Sequence, residues 1–169
     1  MISARRLGPG VPSDAQVIKQ LYAALNDCDG EAMASLYTDD ARFSDPAFGD
    51  LEGPQVGAMW RMLTSRAQDL KVEVRLVKAK AGLGEAQWEA TYTFAQTGLP
   101  VRNLGKARFA FREGKIATHT DEWDFHKWAG QALGFKGKAL GWAKPFHATV
   151  TKKARAELEK FMTSEMGKA

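Results

Sequence analysis

Hydrophobic residues recur at helical spacing over the first third of the chain and at every second position over the middle. Val17, Leu21, Ala24 and Leu25 form one stripe, and Ser13 or Asp14 can cap the helix that carries them through about Asn26. A turn over Asp27 to Gly30 leads to a second, short helix, Glu31 to Tyr37, with Met33, Leu36 and Tyr37 facing inward and the acidic pair Asp39 and Asp40 closing it. A strand from Ala41 to Asp45 stops at Pro46, and Gly49 to Gly53 form a loop. Pro54 suits the first turn of a third helix, which ends near Ala67 and buries Val56, Met59, Trp60 and Leu63.

From Leu70 the period falls to two. Leu70, Val72, Val74 and Leu76 alternate with charged residues, and Trp88, Ala90, Tyr92 and Phe94 alternate with polar ones. A further strand, about Arg102 to Arg112, sets Ala107, Phe109 and Phe111 against Lys106, Arg108 and Arg112. Glu113-Gly114 then supplies a tight hairpin into a last strand, Lys115 to about Phe125. Helices followed by strands in hairpin succession define an α+β fold, with one curved sheet wrapped against the helices. Beyond it, Gly134 to Pro145 holds four glycines or prolines and reads as a mobile loop that could cover a pocket mouth. A last helix, Thr149 to Met162, carries Val150, Ala154, Leu158, Phe161 and Met162 as one stripe opposite Lys152, Lys153 and Lys160. Packing of that stripe on its own domain is the preferred reading; a partner subunit or a membrane surface are the alternatives.

The chain has 169 residues, 44% hydrophobic and 26% charged, which is the size and composition of a single water-soluble domain. Residues 1–12 read as a flexible leader, 13–134 as the domain proper and 135–169 as a glycine-rich loop plus basic helix. No apolar run is long enough to span a bilayer, and no secretory h-region follows the arginines near the start. A single cysteine, Cys28, allows no internal disulfide and is compatible with a cytoplasmic location. Of the net charge of +4, residues 126–169 hold nine Lys/Arg against three Asp/Glu, while the first 125 hold fifteen against seventeen. This basic end lacks the aromatic interleaving of a base-stacking surface, so nucleic acid is not an expected partner.

The last strand bears the most informative side chains. Alternation puts His119, Asp121, Trp123 and Phe125 on one face and Thr118, Thr120, Glu122 and Asp124 on the other. If the first face is concave, an imidazole and a carboxylate share an apolar cavity, where burial and mutual charge can bring both toward neutral pKa values suited to proton transfer. If the strand is bulged, the pair lies at a wet sheet edge. Asp45, before Pro46, is either a turn former or a second candidate acid. The three histidines, 119, 126 and 147, have no metal-ligand spacing, so no metal is expected. His126 is a helix-start residue, a pocket-mouth ligand or neither; His147 reads as a surface residue. Trp60 and Trp88, at core-facing periods, read as packing, whereas Trp123 can form a flat wall for a planar ligand.

The run Leu21-Tyr22-Ala23-Ala24-Leu25-Asn26, continued through Asp29-Gly30-Glu31-Ala32-Met33 to Leu36-Tyr37-Thr38-Asp39-Asp40-Ala41-Arg42-Phe43-Ser44-Asp45-Pro46, resembles the opening of nuclear transport factor 2-like proteins. Within them it is most similar to the ketosteroid isomerase and SnoaL-like polyketide cyclase branch. Arg108 to Ile116, followed by Asp121-Glu122-Trp123, resembles that family's last two strands. Asp124 to Trp128, continuing to Gln131-Ala132-Leu133-Gly134, is similar to uncharacterised bacterial members. The resemblance implies a cystatin-like cone: three N-terminal helices on a strongly curved antiparallel sheet of five or so strands, with the C-terminal helix as an addition. It also implies a pocket for a small hydrophobic molecule and a homodimer formed through the sheet, without a cofactor.

Carried over by position, Asp45 falls on the isomerases' catalytic carboxylate. Their oxyanion tyrosine falls on Leu21, with Tyr22 one residue away and about 100° around the helix, and their oxyanion aspartic acid falls near Ala107. An enolate from a steroid would therefore lack its charge stabilisation. SnoaL-type cyclases are expected to carry a proton-moving aspartate and histidine on the late strands, as His119 and Asp121 are placed. The epoxide hydrolase relay, Asp-Arg-Asp, finds Arg108 with Lys106 two residues before it. The expected activity is proton transfer of isomerase, cyclase or dehydratase type on a small hydrophobic carbonyl compound. Asp45 or Asp121 would be the base and His119 the partner acid or orienter, with Tyr22, Phe43, Trp60 and Trp123 as ligand contacts. The alternative is a non-catalytic ligand-binding or protein-interaction domain.

Overall fold

The computed structural model describes residues 10–168, so residues 1–9 of the expected leader lie outside the described residues. Helix α1 (Asp14–Asn26) begins on a reciprocal cap, in which Ser13 Oγ accepts the Gln16 N–H and the Gln16 side chain accepts that of Ser13. Asp29 caps the short α2 (Gly30–Ser35) by accepting the Ala32 N–H. The chain then enters β1 (Tyr37–Asp45), turns into β2 (Gly49–Glu52), and continues through α3 (Pro54–Arg66) to four long strands. These are β3 (Lys71–Lys80), β4 (Leu83–Phe94), β5 (Leu99–Arg112) and β6 (Lys115–Trp123). Three helices close the chain: α4 (Phe125–Ala132), α5 (Phe135–Leu140) and α6 (Lys144–Met166).

The expected α+β class is present, with six strands in one sheet ordered β2-β1-β6-β5-β4-β3. All neighbours are antiparallel except β1 and β6, which run parallel, so the expectation of a purely antiparallel sheet is corrected. The parallel pair brings the C-terminal ends of β1 and β6, and hence Asp45 and Trp123, to the same end of the sheet. Val17, Ile18 and Leu21 of α1 and Val56, Met59 and Trp60 of α3 fill the concave side against Phe43, Val72, Ala86, Phe109 and Ile116. Both residues of the Glu113-Gly114 turn have positive φ, 53° and 78°, as a two-residue hairpin matched to strand twist requires.

Several local expectations give way to tertiary effects. The second helix ends before Tyr37, and Asp39 and Asp40 lie exposed within β1 instead of closing the helix. Gly49–Glu52 is a strand, because β1 offers it an edge to pair with. Leu76 leaves the dry face of β3 at a bulge between Arg75 and Lys78, where its φ is 51°. Leu63 is exposed. Gly134 to Pro145 contains α5 instead of forming a mobile loop, and the last helix starts at Lys144 rather than Thr149. As expected, its stripe turns inward: Leu158 is buried, and Ala154, Phe161 and Met162 pack on the main core. No helix among the described residues is long and apolar enough to cross a membrane.

Candidate active site

Strand alternation on β6 aims His119 inward, where it is 2% exposed. It pairs with Phe109 on β5 and Phe43 on β1. Its ring lies 4.4 Å from that of Phe109, 5.0 Å from Phe43 and 6.2 Å from both Trp60 and Tyr37. His119 is therefore enclosed in a filled core rather than lining a hollow. Both ring nitrogens are engaged: Nδ1 lies 2.8 Å from Tyr37 Oη and Nε2 lies 3.1 Å from Asp121 Oδ1.

The hydrogen-bond inventory fixes the direction of this chain. Trp60 Nε1 can only donate, and it does so to Tyr37 Oη at 3.0 Å. The fully buried Tyr37 hydroxyl then places its single proton on His119 Nδ1, so the imidazole carries its own proton on Nε2 and donates it to Asp121. A second donor reaches the same carboxylate oxygen, since Trp88 Nε1 lies 3.0 Å from Asp121 Oδ1. Trp88 reaches that far because its register partner is Gly105, over which the indole lies flat. A Cβ there would stand 2.2 Å from Trp88 Cζ2. Trp88 is thus more than the packing residue its period suggests.

Asp45 closes β1 at the same end. Its Oδ1 accepts the backbone N–H of Ala47 at 3.0 Å and of Phe48 at 2.6 Å, the geometry of an Asx turn. Burial raises its carboxyl to a pKa of about 7 against the pull of the Phe48 N–H, and the nearby charge of Asp121 adds to the rise. The turn former and the candidate acid are the same residue. The turn is clamped from outside by α6: Arg155 Nη1 donates to the carbonyls of Phe48 and Asp50, at 3.0 and 2.6 Å. His147, read as a surface residue, is half-buried, stacks on Phe125 at 3.8 Å and hydrogen-bonds the Pro46 carbonyl. Those contacts draw it inward from the helix face.

Three tyrosines feel these acids. Burial raises the Tyr22 and Tyr37 hydroxyls well above the usual range and the negative charge of Asp121 raises them further; burial and the charge of Asp45 raise Tyr92. Tyr37 and Tyr92 have indole partners, Trp60 and Trp128. Among the described residues Tyr22 Oη has none, although it is buried. Such an orphan costs stability unless something else accepts its proton. Trp123 is half-buried and stacks on Phe125, while Phe43 and Trp60 are wholly engaged around His119. His126 is exposed and joins α4 to α5 through the Lys138 carbonyl at 3.2 Å. Leu21 and Ala107, at the isomerases' oxyanion positions, are buried apolar residues, and Arg108 faces solvent paired with Glu122. Among the described residues no three potential metal ligands converge.

Sequence reasoning brought His119, Asp121 and Asp45 forward but missed Tyr37, Trp88 and Tyr92. Alternation already placed Trp88 and Tyr92 on the inner face of one strand, and for Trp88 the lone Gly105 of the next strand was the available signal.

This architecture is the cystatin-like cone of ketosteroid isomerase-like proteins. The chain belongs to the SnoaL-like family, whose domain model matches residues 18–119. Among solved structures it is similar to a proposed polyketide cyclase from Xanthomonas campestris pv. campestris, at 19% identity and TM-score 0.57, with 69% of this chain and 93% of that one covered. It is similar to a hypothetical protein with a ketosteroid isomerase-like fold from Catenulispora acidiphila, in complex with trimethylamine, at 13% identity and TM-score 0.63, covering 70% and 92%. An LEH-like epoxide hydrolase of M. tuberculosis matches at 17% identity and TM-score 0.58, covering 75% and 90%. No curated protein matches the chain.

Proposed function

We propose that the protein catalyses proton transfer on a small hydrophobic carbonyl compound, of isomerase or cyclase type, without a cofactor. The observation that carries this reading is the juxtaposition of a desolvated carboxyl, Asp45, with a second carboxyl, Asp121, whose Oδ1 accepts from His119 and Trp88 and whose charge raises Asp45. Two acids whose surroundings differ this much can divide base and electrostatic roles at one pH. Asp45, titrating near neutrality, takes a proton from the carbon beside the carbonyl and returns it to another carbon, so the enzyme is unchanged at the end. The unpaired Tyr22 hydroxyl donates to the oxygen that becomes an enolate. His119, with both nitrogens occupied, orients Asp121 rather than acting as the acid.

The test is α-proton exchange in D2O with a panel of small cyclic ketones and enones, followed by proton NMR. Acceleration by the native chain that drops by about a hundredfold or more in Asp45→Asn supports the assignment; an unchanged rate in that variant overturns it. A second reading, a non-catalytic protein-interaction domain, is favoured by the rings that fill the space around His119. Exchange at the buffer rate, with no saturable binding of any compound in the panel, would select it.

A further inference from the structure

We propose that the corner formed by α4 and α5 is a docking surface for an anionic lipid bilayer. Helix α5 is built inside out. Gly137 and Gly141, four residues apart, face α4 so closely that a Cβ on Gly137 would stand 1.8 Å from the Ala129 carbonyl oxygen, and one on Gly141 2.8 Å from His126 Cδ2. The large apolar residues of the same segment point away, with Phe135 85%, Trp142 74% and Leu140 46% exposed. A helix that serves only its own core buries its aromatics and shows its small or polar residues, the opposite arrangement. Trp142 is fixed in this outward pose, since its Nε1 donates to the Ala139 carbonyl at 2.9 Å.

The charge around these side chains specifies the occupant. Between Asp124 and Glu157 the sequence has seven Lys/Arg and no Asp or Glu. Lys136, Lys138 and Lys144 are exposed beside the apolar residues, and none of the three has a carboxylate partner among the described residues. The Lys138 stem lies along Gly130, leaving its ammonium free to reach outward. Indole and phenyl rings that enter the headgroup layer, ringed by lysines that meet lipid phosphates, are the composition of an interfacial membrane contact. A second copy of the chain fits worse, because a self-complementary contact through this corner sets lysines against lysines. The proposal is independent of the proton-transfer reading.

The test is co-sedimentation of the full chain with vesicles of phosphatidylcholine alone or with about one quarter phosphatidylglycerol. Pelleting is expected with the anionic vesicles only. It should be lost in Phe135→Ser/Trp142→Ser, with an unchanged circular dichroism spectrum because both side chains are exposed. Lys136→Gln/Lys138→Gln should weaken it by on the order of 25-fold, at about fivefold per lysine. Absence of pelleting with anionic vesicles overturns the proposal, as does equal pelleting of the serine variant. So does a native dimer that the serine variant converts to monomer, which would show that a second copy covers the corner.

Discussion

Asp121 takes its hydrogen bonds from side chains, His119 two residues away and Trp88 thirty-three residues away across the sheet, whereas Asp45 takes both of its own from the backbone of the turn it opens. The first arrangement is locked by strand register. Moving Asp121 means moving β4, β5 and β6 against one another. The second is local, and its rigidity is lent by α6, through Arg155 and His147 on the carbonyls of that turn. One acid is held by the sheet and the other by a helix lying beyond residues 18–119, the span of the family match. The two can therefore be perturbed separately.

The largest effect should come from Gly105→Ala. The added Cβ has no room beside the Trp88 indole, so the ring must leave and Asp121 loses a donor. A loss on the order of 3 kcal/mol in denaturant unfolding is expected. A loss under about 1 kcal/mol would mean that the Trp88 contact is adaptable and Asp121 is not locked.

Asp45 gives an effect of similar order that depends on pH. Its folded-state pKa of about 7 lies above the ordinary aspartate value, so the folded protein keeps a proton that the unfolded chain releases. Stability should be fully retained below roughly pH 4 and should fall as pH rises toward 7, by on the order of 3 kcal/mol, before levelling off. Asp45→Asn keeps an oxygen for the Ala47 and Phe48 N–H groups and cannot ionise, so its stability should be flat across that window. Urea titrations of both proteins at several pH values decide the point; parallel curves would place Asp45 in water.

The smallest effect belongs to the clamp. Arg155→Ala releases the Phe48 and Asp50 carbonyls to solvent and should cost about 1 kcal/mol. Its more specific signature is a fall of the Asp45 pKa toward the ordinary range as the turn loosens and hydrates, read by carbon-13 NMR of the carboxyl. An unchanged titration would show that the turn holds its shape without α6.

Much of this molecule was legible along the chain. The period change near Leu70 separated helices from sheet, and alternation on β6 placed His119, Asp121 and Trp123 on one face. The stripe from Val150 to Met162 marked the inner side of α6. Tyr37 was misread because helical spacing continues through it; the chain leaves the helix at Leu36, and only pairing with Ile116 on β6 makes Tyr37 a strand residue. Trp88 was undervalued for a similar reason, since its role depends on which residue stands opposite on β5.

Sequence alone determined the main helices and strands, the inward face of most of them and the presence of an imidazole and a carboxylate on one strand, because these follow from short periodicities and side-chain size. Tertiary structure decided that His119 is sealed among rings rather than open to a cavity, that its proton sits on Nε2, and that Asp45 is raised toward neutrality. Those properties arise from desolvation and from donors many residues distant, and a local pattern carries no record of either.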